Sequence, residues 1–316
     1  MSNLSERVLS GDRISISKAI TIVENKEATS SIMMKELFPH TGKAQVVGVT
    51  GPLGTGKSSL VDQLVHSYRL QAKKVAVLAV DPSSPISGGA ILGDRVRMLE
   101  HSLDTNVYIR SMASRGDEGG LSRASKDVVR ILDAAGFDLV FVETVGIGQT
   151  EVEIIEIADT VVVVLMPELG DEIQAAKAGL VEIGDIFAVN KSDLPGADKV
   201  LYNLSPMLSL NASGWKQVAV KVSAKSSEGI DALVSAIDAH AAFLKNSIES
   251  SASRATEKLK RELADRVSDL VTSDLAKKLP EDPEFAEALE KLTRKELDPD
   301  TASRRIAQRY ITRASS

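Results

Sequence analysis

Gly51-Pro52-Leu53-Gly54-Thr55-Gly56-Lys57-Ser58 is the stretch that decides how this 316-residue chain is read. It fits the pattern GxxxxGK[ST], and its flanks supply the context that the pattern requires. Ala44–Thr50 before it reads as an apolar strand, and Lys57–Leu70 after it as a helix. Glycines let the backbone curl so that several N–H groups turn inward. The helix N-terminus adds partial positive charge. Such a loop holds a phosphate chain: Lys57 is expected on the β- and γ-phosphates, and the Ser58 hydroxyl on Mg²⁺. Gly51, Gly54, Thr55, Gly56 and Ser59 complete the expected nucleotide contacts. The loop fails the GxGxxG dinucleotide pattern, because a lysine at position 57 belongs on phosphates.

Moving outward, strand and helix signals alternate. Lys74–Val80 is a second strand, ending at Asp81-Pro82, and Asn106–Ile109 is a short β-like run. Ser122–Ala135 is a helix ended by Gly136. Leu139–Val142, Thr160–Met166, Ile186–Val189 and Val218–Val222 are further strands. Apolar runs separated by helices predict the α/β fold of a P-loop NTPase: a mostly parallel sheet covered by helices. Residues 1–43 read as an N-terminal helical extension and 44–245 as the P-loop domain. Residues 246–316 read as a C-terminal helical arm suited to dimerisation. Within the arm, Leu259, Leu263, Val267, Leu270, Val271 and Leu275 recur close to helical spacing, and Pro280 and Pro283 break the pattern.

Composition narrows the chemistry. There is no cysteine, which excludes disulfides, thiolate metal sites, iron–sulfur clusters and cysteine nucleophiles. The four histidines, His40, His66, His101 and His240, are far apart and not in metal-ligand spacing. A net charge of -6 argues against a broad nucleic-acid-binding surface. Ala158–Met166 contains Asp159 and is too short to span a membrane. The start MSNLSERVLSGDR has no signal-peptide pattern. The expectation is a soluble cytoplasmic protein with no nucleic-acid or membrane partner.

Ligands of such sheets bind beyond the C-terminal ends of the strands. Asp81 and Glu143 end strands, and Asp94 follows in Gly93-Asp94-Arg95; all three are candidates for holding Mg²⁺, which takes hard oxygen ligands. A lone aspartate after a strand is as often a turn residue; here the phosphate loop gives the metal a reason. In Glu143-Thr144-Val145-Gly146 the glutamate stands where many GTPases have aspartate, and the Gly146 N–H is placed to sense a γ-phosphate. Gln149 is a candidate for orienting water, against the ordinary reading of a surface glutamine. Asn190-Lys191-Ser192-Asp193 follows the strand IFAV. A carboxylate at Asp193 accepts from guanine N1–H and the exocyclic amine, a donor pair that adenine lacks. Asn190 either ties loops together or meets the base, and Lys191 stacks along it. Ser223-Ala224-Lys225 follows the last strand and completes the base pocket. GTP, and GDP as product, are therefore expected over ATP. Arg95, Arg97, Arg110 and Arg115 are candidates for a cation acting in cis on the phosphates, although surface ion pairing is the plainer reading of each. Ser111–Gly120 reads as a mobile loop, and Pro167–Lys177 as a further switch or a helix cap.

The chain resembles the MeaB/ArgK-type GTPases, which include the human methylmalonic aciduria type A protein. The resemblance rests on the blocks GVTGPLGTGKSSL, LAVDPSSPISGGAILGDRVRM, GFDLVFVETVGIGQTE, KAGLVEIGDIFAVNKSD and VKVSAKSSEGI, and it covers roughly residues 4 to 245. It implies a SIMIBI-class P-loop GTPase, homodimeric, with helical extensions at both ends. It also implies a chaperone for an adenosylcobalamin-dependent methylmalonyl-CoA mutase or a close relative, gating cofactor loading, protection and reactivation. By that resemblance Lys57, Glu143, Asp94 and Gln149 serve hydrolysis. Ser58, Asp81, Asp94 and Glu143 serve the metal, Asn190, Lys191 and Asp193 read guanine, and Gln149, Asp171 and Lys177 fall in switch segments. Leu53 replaces a small residue or proline, and Glu168 replaces a common glycine. Four alternatives stand beside this reading: a nickel-type metallochaperone GTPase, a small-molecule P-loop kinase, an ATPase or kinase linked to lysine/arginine/ornithine transport, and a nucleotide-binding scaffold without catalysis.

Overall fold

A computed structural model describes residues 2–81, 101, 103–113, 123–144, 150–167, 181–208, 214–246 and 248–314. Seven strands form one sheet: β1 (Gln45–Thr50), β2 (Val75–Asp81), β3 (Val107–Ala113), β4 (Leu139–Thr144), β5 (Thr160–Leu165), β6 (Ile186–Val189) and β7 (Val218–Lys221). Their order is β3-β2-β4-β1-β5-β6-β7, and every neighbouring pair is parallel. β4 and β5 are buried at every position. That is why they read as unbroken apolar runs with no alternation: helices cover both faces.

Each face has its own core. On one side α4 (Lys57–Leu70) and α8 (Ile230–Asn246) pack Leu60, Leu64, Leu233 and Ile237 onto Val47, Val77, Phe141 and Val162. The other side is covered by α5 (Arg123–Ala134), α6 (Thr150–Ile157) and α7 (Ala197–Leu204), which sit on Leu78, Val140, Val142 and Val163. The helices α1 (Asn3–Leu9), α2 (Arg13–Glu24) and α3 (Ser30–Leu37) join this second core through Val8, Ile16, Ile20 and Leu37. They belong to the same compact unit as the sheet, residues 1–248. Their anchor is the edge strand. The Arg13 guanidinium donates to the carbonyls of Asp104 (3.2 Å), Thr105 (3.2 Å) and Val107 (2.8 Å) and lies 5.7 Å from the Tyr108 ring. Ser17 and Tyr108 share a hydroxyl bond of 2.9 Å, and Arg110 pairs with Glu24.

The foot of the sheet is closed by aspartates. Asp138 accepts from the Lys74 N–H at 2.7 Å, Asp159 from Val46 at 3.0 Å and Asp185 from Val161 at 2.8 Å. Asp133 accepts from the N–H groups of Lys43 and Ala44 as the chain enters β1. Backbone donors at a strand start need a partner when buried, and a short carboxylate supplies it.

Two sequence expectations shift, and one helix is new. Ser111, Met112 and Ala113 belong to β3 and not to a loop, because pairing with β2 continues to Asp81↔Ala113. A helix begins at Thr150, directly after Gln149 of an expected switch segment. A short helix follows Gly196, which caps it at φ 101°.

Residues 249–316 form a second compact unit. α9 (Ile248–Lys278) carries the apolar stripe, and Pro283 opens α10 (Pro283–Thr293) behind the capping carboxylate of Asp282. α10 is clasped to α11 (Pro299–Ala314): Arg309 and Tyr310 both donate to Asp282, and Arg305 donates to Glu284. Among the described residues no helix is long and apolar enough to cross a membrane.

Two outcomes are expected. α6 lies against β1 at Gly48, where a Cβ would stand 2.6 Å from Ile154 Cγ1 and 2.9 Å from the Ala158 methyl. Gly48→Ala overpacks this contact and lowers the unfolding free energy in urea by about 1–3 kcal/mol. Glu36 is the second case. The Ser5 hydroxyl and then the Ser2 N–H hold its carboxyl well below the ordinary value of 4.5, at about 2. Because the folded value is the lower one, this contribution is complete above the ordinary carboxylate range and is lost as pH falls toward about 2. Glu36→Gln flattens that acid-side loss when melting temperature is followed between roughly pH 5 and pH 2.

Candidate active site

The phosphate loop leaves β1 at Gly51, whose φ is 135°. A Cβ there would lie 2.2 Å from the Val164 carbonyl oxygen, so only glycine lets the chain turn so close to β5. The loop re-enters helix at Gly56, left-handed at φ 87°, where a Cβ would fall 2.6 Å from Asn190 Nδ2. Between them the Thr55 hydroxyl donates to the Pro52 carbonyl at 2.9 Å. Lys57 is buried, and its ammonium donates to the carbonyls of Gly51 (2.7 Å) and Pro52 (3.0 Å). Leu53, Gly54 and Ser59 lie on the exposed side.

The sheet brings an acid to this loop. β4 lies beside β1 in the register Val49↔Glu143, which sets Glu143 at the strand end next to α4. The Ser58 hydroxyl donates to Glu143 Oε1 at 2.6 Å, and both residues are buried. A hydroxyl and a carboxylate converging beside a phosphate loop are the hard oxygen donors that Mg²⁺ takes, so the residues present fit that ion. Asp81 ends β2, two strands from β1, level with Ala113 of β3. Asp94, Gly146 and Gln149 lie outside the described residues, as do Arg95, Arg97, Arg115, Glu168, Asp171 and Lys177. Of the four arginines considered for a role in cis, Arg110 is accounted for otherwise. It shares the face of β3 that carries Tyr108 and Met112, pairs with Glu24, and is separated from α4 by the sheet. One pair escaped the sequence reading: Thr144, next to Glu143, donates its hydroxyl to Thr50 at 3.0 Å. Its only sequence signal is a threonine at the end of each strand.

The base side is joined to the phosphate side by a single buried side chain. Asn190 donates through Nδ2 to the Thr55 carbonyl at 2.8 Å, and its Oδ1 accepts from the Ala224 N–H at 3.0 Å. These bonds make the tie between loops considered for Asn190. Lys191 is held in the left-handed region at φ 55°. Asp193 accepts from the buried Ser223 hydroxyl at 2.8 Å. That bond, reinforced by the charges of Lys225 and Lys191, holds its carboxyl below the ordinary range and keeps it ionised as an acceptor. Ser223 is fixed by reciprocal backbone bonds with Glu228, and the return of the chain passes Gly229, where a Cβ would stand 2.1 Å from the Lys221 carbonyl oxygen. Lys225 is exposed. The arrangement offers a phosphate cradle with a buried cation, a pair of hard oxygen donors, and an ionised double acceptor for a base.

Comparison with known proteins identifies the family. A family model described as "Methylmalonyl Co-A mutase-associated GTPase MeaB" matches residues 16–282. PH0274 of Pyrococcus horikoshii, whose name places it among GTPases, is 43% identical over 316 residues, covering 98% of each chain. The mouse protein named methylmalonic aciduria type A homolog, mitochondrial, is 33% identical over 243 residues, 71% of this chain and 59% of its own. A solved structure titled as an LAO/AO transport system kinase superposes with a TM-score of 0.72 at 26% identity, covering 98% of this chain and 96% of that one. The chain belongs to the MeaB family of methylmalonyl-CoA mutase-associated GTPases, P-loop enzymes that hydrolyse GTP.

Proposed function

We propose that this GTPase is a Mg²⁺-dependent, homodimeric chaperone of an adenosylcobalamin-dependent acyl-CoA mutase, methylmalonyl-CoA mutase or a close relative. In this reading GTP binding and hydrolysis gate cofactor loading, protection and reactivation of the client. The observation that carries the nucleotide part is the Asn190 side chain, which bonds both the phosphate loop and the Ser223–Lys225 loop and so makes one GTP site of two halves. The client is supported by the family description and by the mouse relative's name.

The residues divide the work as follows. The Lys57 ammonium exchanges the Gly51 and Pro52 carbonyls for β- and γ-phosphate oxygens. Backbone N–H groups of the loop and the start of α4 receive the remaining charge. Ser58 and Glu143 hold the metal ion, which when bound supplies positive charge against the phosphate oxygens. Asp193, kept ionised by Ser223, accepts from guanine, and ATP leaves that carboxylate without its donors. This chemistry disfavours an ATP-using kinase in amino-acid transport.

The dimer is supported by α9, whose 31 residues carry an uncovered stripe. Leu259, Leu263 and Val267 are four residues apart, and together with Leu270 and Val271 they are 50–67% exposed. A second copy of the same helix buries such a stripe.

GTP and ATP hydrolysis with Mg²⁺, measured with and without a candidate mutase, tests the first part. Slow GTP-selective turnover is expected, faster with the client and abolished by Lys57→Ala; turnover indifferent to every such mutase refutes the chaperone role. For the dimer, the combined change Leu263→Glu and Val267→Glu is expected to give a monomer in sedimentation, with GTP turnover of the isolated protein within about threefold of the parent. A variant that sediments as the parent does removes the stripe as the interface.

A further inference from the structure

At the ends of β1 and β4, beside the phosphate loop, a side-chain hydrogen bond joins the two strands. The last β1–β4 register pair is Val49↔Glu143. At the next position of each strand, Thr50 is level with Val163 of β5, and Thr144 with Val80 of β2. Between these strand ends the Thr144 hydroxyl donates to the Thr50 hydroxyl at 3.0 Å, and both residues are 0% exposed. Their sequence neighbours carry the phosphate chemistry. Gly51, after Thr50, offers the carbonyl that holds Lys57; Glu143, before Thr144, holds Ser58.

We propose that the Thr50–Thr144 hydroxyl pair positions the two halves of the phosphate site for GTP hydrolysis, setting the gap between the phosphate loop and the Glu143 segment. Neither threonine touches the nucleotide in this assignment; both act through the backbone on which Lys57, Ser58 and Glu143 are mounted. A hydroxyl pair fixes a spacing that two methyl groups do not. Apolar carbons pack at about 3.5–4.0 Å without direction, whereas the hydroxyls stand at 3.0 Å along a defined line. A misplacement of about 1 Å far from the reacting atoms lowers a rate by up to ~10²-fold.

The energetics of buried hydroxyls separate positioning from stability. Removing one partner leaves the other unsatisfied, while replacing both with apolar groups of the same shape is nearly neutral. The test compares Thr50→Val, Thr144→Val, the double change and Thr144→Ser by urea unfolding, GDP affinity and single-turnover GTP hydrolysis with Mg²⁺. Each single valine is expected to lower the midpoint and slow hydrolysis by about 10- to 100-fold, with GDP affinity within about threefold. The double variant is expected to regain its midpoint and remain slow, and Thr144→Ser to keep its rate. Recovery of rate together with stability in the double variant overturns the proposal, because the pair is then only a satisfied core contact. So does an unchanged rate in a single variant, a Ser variant as slow as Val, or a loss confined to GDP affinity. If a single valine variant does not fold, the double and serine variants still decide.

Discussion

A buried ammonium must be partnered, and Lys57 meets that requirement by folding back onto the carbonyls of Gly51 and Pro52. The rest of the site depends on this closure. It needs a loop that turns tightly at Gly51 against β5 and re-enters helix at Gly56 against Asn190. It needs β1 near the middle of the sheet, flanked by β4 and β5, so that the loop has Glu143 on one side and Asn190 on the other. The all-parallel order delivers this: strand ends that are distant in sequence converge on one edge, and short side-chain bonds join them there.

Charge follows the same logic of place over total. The chain carries a net charge of -6, yet its site is built for a polyanion. Charges separated by more than a Debye length of about 8–10 Å act weakly on each other in physiological salt. The aspartates at the foot of the sheet (Asp133, Asp138, Asp159 and Asp185) satisfy backbone donors at the opposite end of the strands from the loop. At the loop itself the buried cation is Lys57, held by the carbonyls of Gly51 and Pro52. The acids that do lie there, Glu143 and Asp193, are each held by a serine hydroxyl that fixes where the carboxylate points.

What the sequence revealed and what it concealed follow from the range of the interactions. The phosphate loop is local: eight consecutive residues between a strand and a helix, with Gly51 and Gly56 demanded by backbone geometry. The buried strands announce themselves as apolar runs, and Asn190–Asp193 sits at the end of one of them. Contacts between distant residues leave no such trace. Nothing around Arg13 points to the carbonyls of Asp104, Thr105 and Val107, and nothing around Arg110 names Glu24 as its partner. β3 is longer than its apolar run because Ser111 and Ala113 are held by pairing with β2, not by their own propensity. The Thr50–Thr144 bond is invisible for the same reason, since a threonine ending a strand is ordinary until its partner is known. For Asn190 the loop tie becomes visible only through the positions of Thr55 and Ala224.

The reach of Arg13 has a consequence for synthesis. Its acceptors lie 91 to 94 residues downstream, so α2 leaves the ribosome long before the edge strand that anchors it exists. At about 5–20 residues per second, that interval is roughly 5–20 seconds. β1 waits longer still, because its neighbour β5 is complete only at Leu165. The nascent chain therefore exposes an amphipathic helix and an unpaired apolar strand together. The organisation that gathers the site at the strand ends leaves β1 without β5 beside it until Leu165 has been made.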